Sequence, residues 1–154
     1  MAAVTLPDRW VSRLEKAISA ALREFAPRVA GSPIAVFAVD CHPWHGKIGL
    51  SILTSAEAVA VPVLTAPAEM AAWQNFDFAR ELSSRHLFTD IEREMEIAYR
   101  TNDRKTAVEA FLSACAAAAE SSEAASALAL LHKAPGFRIS VAHPDDGREY
   151  VVSG

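Results

Sequence analysis

Two apolar runs joined by a short turn, between residues 34 and 54, constrain the fold of this chain more than any other feature. Residues 34–39 form an unbroken apolar run, which is the pattern of a strand buried on both faces. In residues 47–54, apolar side chains alternate with polar or small ones, which predicts a second strand with one buried face. Pro43 and Gly46 lie between the runs and favour a turn. The sequence therefore predicts a central β-hairpin.

A second hairpin is predicted near the end of the chain. Between residues 137 and 141, apolar side chains alternate with Arg138 and Ser140, and a turn of Pro, Asp, Asp and Gly follows at residues 144–147. Tyr150 and Val152 come after this turn, where a returning strand would lie. We therefore expect a terminal hairpin over about residues 136–153.

Helical spacing dominates the remaining segments. An amphipathic first helix is predicted over residues 5–26, and a central block of helices is predicted from residue 89 onwards. Three residue pairs have the spacing of a helix capping box. These pairs are Thr5 with Asp8, Thr54 with Glu57, and Thr89 with Glu92.

Two hairpins separated by helices indicate an α+β fold. We expect an antiparallel sheet, built from hairpins at about 34–54 and 136–153, packed against the N-terminal helix and the central helical block. No linker or internal repeat interrupts the pattern, so residues 1–154 are expected to form a single globular domain.

Composition and charge exclude several classes of function. Of the 154 residues, 51% are hydrophobic and 22% are charged, as in a folded globular protein and unlike a disordered one. The net charge of -4 and the lack of a Lys or Arg cluster disfavour nucleic-acid binding. No apolar run approaches the roughly 18 residues of a membrane span, and residues 1–10 do not develop a signal-peptide segment. We therefore expect a cytoplasmic protein that binds neither nucleic acid nor membranes.

The turn of the first hairpin carries the residues most suited to chemistry. Cys41, His42 and His45 offer three soft-metal ligands of the kind found in tetrahedral zinc sites. A fourth ligand would have to be Asp40, His86 or His143, brought close by the fold. In the alternative, Cys41 lies in the core and the two imidazoles are exposed.

A tryptophan at the tip of this loop indicates a binding surface. Trp residues are enriched in binding hot spots, and Trp44 is flanked by side chains that form hydrogen bonds. Alternatively, Trp44 folds back over the edge of the sheet. We predict a partner-binding surface formed by Asp40, His42, Trp44, His45 and Lys47.

Motifs of common enzymes and cofactor sites are absent from the sequence. There is no GxSxG, HExxH, GxxxxGK or GxGxxG, so we predict neither a cofactor nor a catalytic residue. Cys115 lies in the apolar stripe of a helix, which is typical of an inert buried thiol. Four acidic residues between 90 and 96 fit a solvated helix face, with Glu96 placed to pair with Arg100.

The order of features along the chain is informative about relatives. The amphipathic helix precedes the apolar strand at 34–39, the second strand ends at Thr54 before Glu57, and Trp73 follows in an aromatic crossing. Near the end, two leucines at 130–131 precede the run Gly-Phe-Arg-Ile. This order resembles that of a bacterial family of uncharacterised α+β proteins, some of which are encoded near toxin and immunity genes. The resemblance covers most of the chain and implies an α+β fold and protein binding, but no active-site residues.

The sequence thus favours a small bacterial cytoplasmic protein that binds a protein partner or forms a homo-oligomer such as a dimer, in the manner of an immunity protein. The alternative is a metal-dependent or Cys/His-based enzyme that uses the loop at residues 40–47.

Overall fold

A computed structural model describes residues 3–151 of the chain. Within these residues, five α-helices accompany a three-stranded sheet, which confirms the predicted α+β class. The strands are β1 (Ile34–His42), β2 (Lys47–Thr54) and β3 (Lys133–Ser140), and they lie in the order β2-β1-β3. The helices are α1 (Trp10–Phe25), α2 (Ser55–Ala60), α3 (Thr89–Thr101), α4 (Arg104–Ala119) and α5 (Ser122–Leu128).

Strands β1 and β2 form the predicted antiparallel hairpin. Val39 pairs with Leu50, and the pairing continues to the end of β1 at His42. A single 3₁₀ turn at Pro43–His45 and the left-handed Gly46, with φ 59°, join the strands. The loop is therefore shorter than predicted, because β1 continues past its apolar run.

The pairing of β3 contradicts the predicted antiparallel sheet. β3 runs parallel to β1, with Val36 opposite Arg138 and Ala38 opposite Ser140, so the sheet is mixed. A parallel pair requires a long crossover connection. The helices α3, α4 and α5 supply that connection, and they return the chain to the free edge of β1 in the direction of β1.

The prediction of a second hairpin is also wrong, because its two segments do not form a pair of strands. The chain does turn back, since the backbone N–H of Tyr150 donates to the carbonyl of Val141 at 2.9 Å. However, the returning segment adds only an isolated bridge between Ala142 and Glu149. The carboxylate of Glu149 accepts the N–H of Val141 at 2.5 Å, so a side chain takes the place of a strand carbonyl. Residues 152–153 of the predicted hairpin lie outside the described residues.

Helix α1 packs one face on the core, as predicted. Its buried apolar side chains are Trp10, Leu14, Ala17, Ile18, Ala21, Leu22 and Phe25. The helix begins at Trp10 and not at residue 5, because Arg9 has a left-handed φ of 56° that interrupts the helical path. The predicted capping box of Thr5 and Asp8 is therefore wrong.

Different segments of the chain pack on the two faces of the sheet. Side chains of β1 such as Phe37 and Val39 belong to the main core, which includes the buried residues of α1, α4 and α5. On the other face, Val36 and Ala38 pack against Met70, in a segment without strands. Among the helices of residues 3–151, none is long and apolar enough to cross a membrane.

Candidate functional site

A groove of about 590 Å³ lies where β1 and β3 end. Because these strands are parallel, their carboxyl ends meet at one edge of the sheet. Asp40 and His42 of β1 line the groove together with the turn at residues 142–147. Met70 and Phe76 add apolar lining. The volume is in the range of about 300–1,000 Å³ that ligand pockets occupy.

The imidazole of His42 lies beside the carboxylate of Asp40 in this groove. They are two residues apart on a strand, so both side chains project from the same face. His42 Nε2 lies 3.0 Å from Asp40 Oδ1, and the side chains are 27% and 19% exposed, respectively. An imidazole beside a carboxylate can bind a donor or transfer a proton.

His143 contributes a second imidazole to the groove. Its Nδ1 accepts a hydrogen bond from the backbone N–H of Asp145 at 3.1 Å, and it lies 3.9 Å from Asp146 Oδ1. When neutral, this imidazole therefore carries its proton on Nε2. The sequence offered His143 only as one of three possible fourth metal ligands, because it is far from His42 along the chain and meets the same groove only through the parallel pairing of β1 and β3.

Contacts with α4 hold the turn at residues 142–147 in place. The hydroxyl of Tyr150 donates to Glu109 Oε2 at 2.8 Å, and Arg148 forms an ion pair with the same carboxylate. Burial and the bond to Glu109 raise the pKa of Tyr150 to about 12. Tyr150 therefore remains a donor at neutral pH. The N–H of His143 donates to the carbonyl of Arg148 at 2.8 Å and closes the turn.

The structure places the five residues predicted to bind a partner in two different locations. Asp40 and His42 line the groove, whereas Trp44, His45 and Lys47 lie outside it. Trp44 is half-buried and packs against the main core, as in the folded-back alternative, and His45 is exposed. A role for these five residues in partner binding stays a prediction.

Asp77 is a buried carboxylate next to the predicted loop. It has a left-handed φ of 51°, and its N–H donates to Ser51 Oγ at 2.9 Å. Its carboxylate pairs with Lys47 at 3.2 Å. It also lies close to Gly49, where an added Cβ would be 3.2 Å from Asp77 Oδ1. The glycine inside β2 is the sequence signal that could have indicated this close approach.

Cys41 lies on the opposite face of β1 from His42. The thiol is fully buried, and its Sγ is 3.6 Å from Met95 Sδ. Contact with Cys115, together with burial, raises the pKa of the Cys41 thiol well above its usual range. Both cysteines are free. A thiol held protonated in the core is a poor nucleophile, so the structure separates Cys41 from the chemistry of the groove.

One carboxylate of the predicted solvated helix face is buried. Glu92 accepts hydrogen bonds from the N–H of Ile48 at 2.8 Å and from Arg85 at 2.7 Å. It therefore joins α3 to β2 and does not cap α3 as predicted. Glu96 forms the expected ion pair with Arg100 at 3.2 Å. Glu92 and Glu96 therefore have structural partners.

An exposed apolar segment precedes the groove along the chain. All of residues 59–63 are exposed, and they include no charged or polar side chain. The exposed fractions are 78% for Val59, 46% for Val61 and 58% for Val63. Residues 66–68 follow and line the groove. We call residues 59–63 the valine segment.

Comparisons with known proteins give no information about the function of this chain. No family model, characterised protein or solved structure matches this chain significantly. The resemblance to a bacterial family therefore stays a prediction. Throughout residues 3–151, no group of three or more His, Cys, Asp and Glu side chains is placed to hold a metal ion.

Proposed function

We propose that this protein acts by binding another protein, and that the groove and the valine segment together form its binding surface. The exposure of three valines beside a cavity is the observation that carries this proposal. Soluble monomers rarely expose contiguous apolar patches larger than about a few hundred Å², and such patches mark interaction sites. The bacterial, cytoplasmic setting expected from the sequence is part of the proposal.

Hydrogen bonds on both sides hold the backbone of this surface. Thr54 and Glu57 cap α2 through reciprocal bonds of 3.2 Å, as predicted, and Glu57 also accepts the N–H of Gln74 at 2.9 Å. Arg138 of β3 donates to the carbonyl of Thr65 at 2.9 Å. Surfaces that are ordered before binding lose less conformational entropy when a partner docks. The valines are therefore presented in a form suited to binding.

The arrangement of polar and apolar groups also supports a protein interface. Interfaces combine an apolar centre with a polar rim that fixes orientation. The valine segment supplies apolar area, and Asp40, His42 and His143 supply polar groups within the groove.

Site-specific photocross-linking in cells of the source organism tests this function. We would introduce p-benzoylphenylalanine at Val61 or Ala68, which are exposed, and at Lys105 as a control. Lys105 is an exposed residue of α4, on the helical side of the sheet. We expect a discrete adduct from Val61 and Ala68 and none from Lys105. An absence of adducts from both test positions, or the same adduct from Lys105, would contradict the proposal.

The mass of the adduct identifies the class of partner. A mass of twice the chain indicates a second copy, and hence a self-associating protein. Any other mass indicates a different protein.

The Asp40–His42 pair favours an acid–base enzyme as a second candidate, because a carboxylate lies 3.0 Å from the imidazole within the groove. This function predicts hydrolysis of p-nitrophenyl esters above the buffer rate, with loss of that rate in His42→Gln. The control is His86→Gln, since His86 lies outside the groove. Equal rates for the two variants would exclude His42 as the base.

A further inference from the structure

The charges that line the groove are unbalanced. Asp40, Asp145 and Asp146 line it, and among the described lining residues there is no Lys or Arg. The carboxylate of Asp145 is exposed and has no hydrogen-bond or ion-pair partner in the described part of the chain. Asp146 accepts the N–H of Arg148 at 2.8 Å, yet 59% of its side chain remains exposed. The groove is therefore an acidic cavity that is open to a ligand.

Cations near the groove are already engaged elsewhere. Lys47 pairs with Asp77 at 3.2 Å, and Arg148 pairs with Glu109. Arg138 donates to a backbone carbonyl at 2.9 Å. The imidazoles of His42 and His143 lie 3.0 Å from Asp40 Oδ1 and 3.9 Å from Asp146 Oδ1, respectively, so Asp145 is the carboxylate of the described lining that has no such neighbour. A cation from outside the chain is the group that would complement these charges.

The apolar part of the lining indicates which cation fits. Phe76 is a half-buried aromatic ring in the lining, and Met70 lies beside it in the same small core cluster. A guanidinium stacks on aromatic rings. It also pairs with carboxylates through two parallel hydrogen bonds, a geometry that an ammonium does not form. The methylene stem of an arginine also packs well on apolar surface. The volume of about 590 Å³ leaves room for the residues that flank such a side chain.

We propose that the groove binds the guanidinium of an arginine side chain from the partner protein. This inference rests on the proposed function and specifies the chemistry of the segment that the groove takes. The carboxylates of Asp145 and Asp146 bind the guanidinium, and the apolar lining around Phe76 contacts its stem.

A nuclear magnetic resonance titration of the full chain tests this proposal. The probes are N-acetyl-arginine methylamide and N-acetyl-citrulline methylamide, which have nearly the same shape but differ in charge. We expect the arginine probe to shift the backbone amide resonances of Asp145, Asp146 and His143. We expect the affinity of the citrulline probe to be at least about tenfold lower, because its urea group lacks the charge that strengthens hydrogen bonds to carboxylates.

A double variant locates the interaction. In Asp145→Asn, Asp146→Asn the charges are removed, while the amide oxygen at residue 146 can still accept the N–H of Arg148. We expect the preference for arginine over citrulline to disappear in this variant. The matched control is Glu81→Gln, Glu123→Gln, which removes two exposed carboxylates outside the groove and should retain the preference.

Three results would overturn the proposal. They are equal binding of the two probes, no saturable shifts with either probe, and an unchanged preference in the groove variant. If any of these occurs while adducts still form from Val61 and Ala68, the chain binds a protein but its groove does not take arginine. If the adducts are also absent, the proposed function fails as well.

Discussion

At the scale of single residues, Gly46 is the position where the backbone most clearly dictates the side chain. Its φ of 59° is left-handed, and an added Cβ would lie 2.9 Å from the Cβ of Glu96 on α3. We expect Gly46→Ala to lower the free energy of unfolding by about 2 kcal/mol, measured by urea denaturation, because both strain and a clash oppose the methyl group. Gly31→Ala is the control, since nothing lies within 4 Å of its added Cβ. Equal losses in the two variants would contradict this geometry.

Glu24 links stability to pH. Its carboxylate accepts hydrogen bonds from the backbone N–H groups of Ser83 at 2.9 Å and Ser84 at 3.0 Å, and these bonds lower its pKa from 4.5 to about 2. Because the folded pKa is depressed, the ionised group stabilises the fold above about pH 4.5, and this contribution is lost as the pH falls towards 2.

We therefore expect Glu24→Gln to be less stable than the wild type at pH 7, with a difference that shrinks as the pH falls from 4.5 towards 2. Urea denaturation at a series of pH values measures this difference. Glu81→Gln is the matched control, because this exposed carboxylate should leave the stability at pH 7 unchanged. A difference for Glu24→Gln that stays constant with pH would show that the hydrogen bonds do not depend on its charge.

At the scale of elements, the turn at residues 142–147 depends on α4 for its position. Tyr150→Phe removes the hydroxyl that donates to Glu109 at 2.8 Å, so we expect a loss of about 1 kcal/mol of stability. Faster hydrogen exchange should follow at the amides of His143 and Gly147, whose bonds close the turn. Tyr99→Phe serves as the control, since Tyr99 contacts Arg104 through its ring. Unchanged exchange rates in Tyr150→Phe would show that the turn keeps its structure without the hydrogen bond from Tyr150 to Glu109.

Local patterns predicted the elements whose partners are close in sequence. The first hairpin formed as expected, because alternation and turn residues act within a few positions. The capping box of Thr54 and Glu57 formed for the same reason. The box of Thr89 and Glu92 did not, because a distant N–H, that of Ile48, takes the Glu92 carboxylate. The order and direction of β3 depend on a crossover of three helices, which no local pattern encodes.

At the scale of the whole molecule, the candidate site was only half predictable. Asp40 and His42 stood out because they follow a buried strand. His143 and Asp145 join them through the parallel pairing of β1 and β3, which is a property of the complete fold. The valine segment has the composition of a core, yet every one of its residues is exposed in the structure.

The proposed surface should be separable from folding. We expect Val59→Lys, Val63→Lys to change the free energy of unfolding by less than about 0.5 kcal/mol for each exposed site, since neither side chain is buried. The same variant should lose the adduct formed from Ala68, because the added charges oppose docking of an apolar partner. Ile97→Lys, at a side chain on α3 that is 53% exposed, is the control and should keep the adduct. Retention of the adduct in the valine variant would remove the valine segment from the interface.

The parallel pairing of β1 with β3 brings Asp40 and His42 together with the turn at residues 142–147, so it is the feature to measure first. Nuclear Overhauser contacts between the strands report its direction. We predict contacts that link Val36, Phe37 and Ala38 with Arg138, Ile139 and Ser140 in that rising order. Contacts in the reverse order, or no contacts between these strands, would contradict the parallel pair and with it the groove.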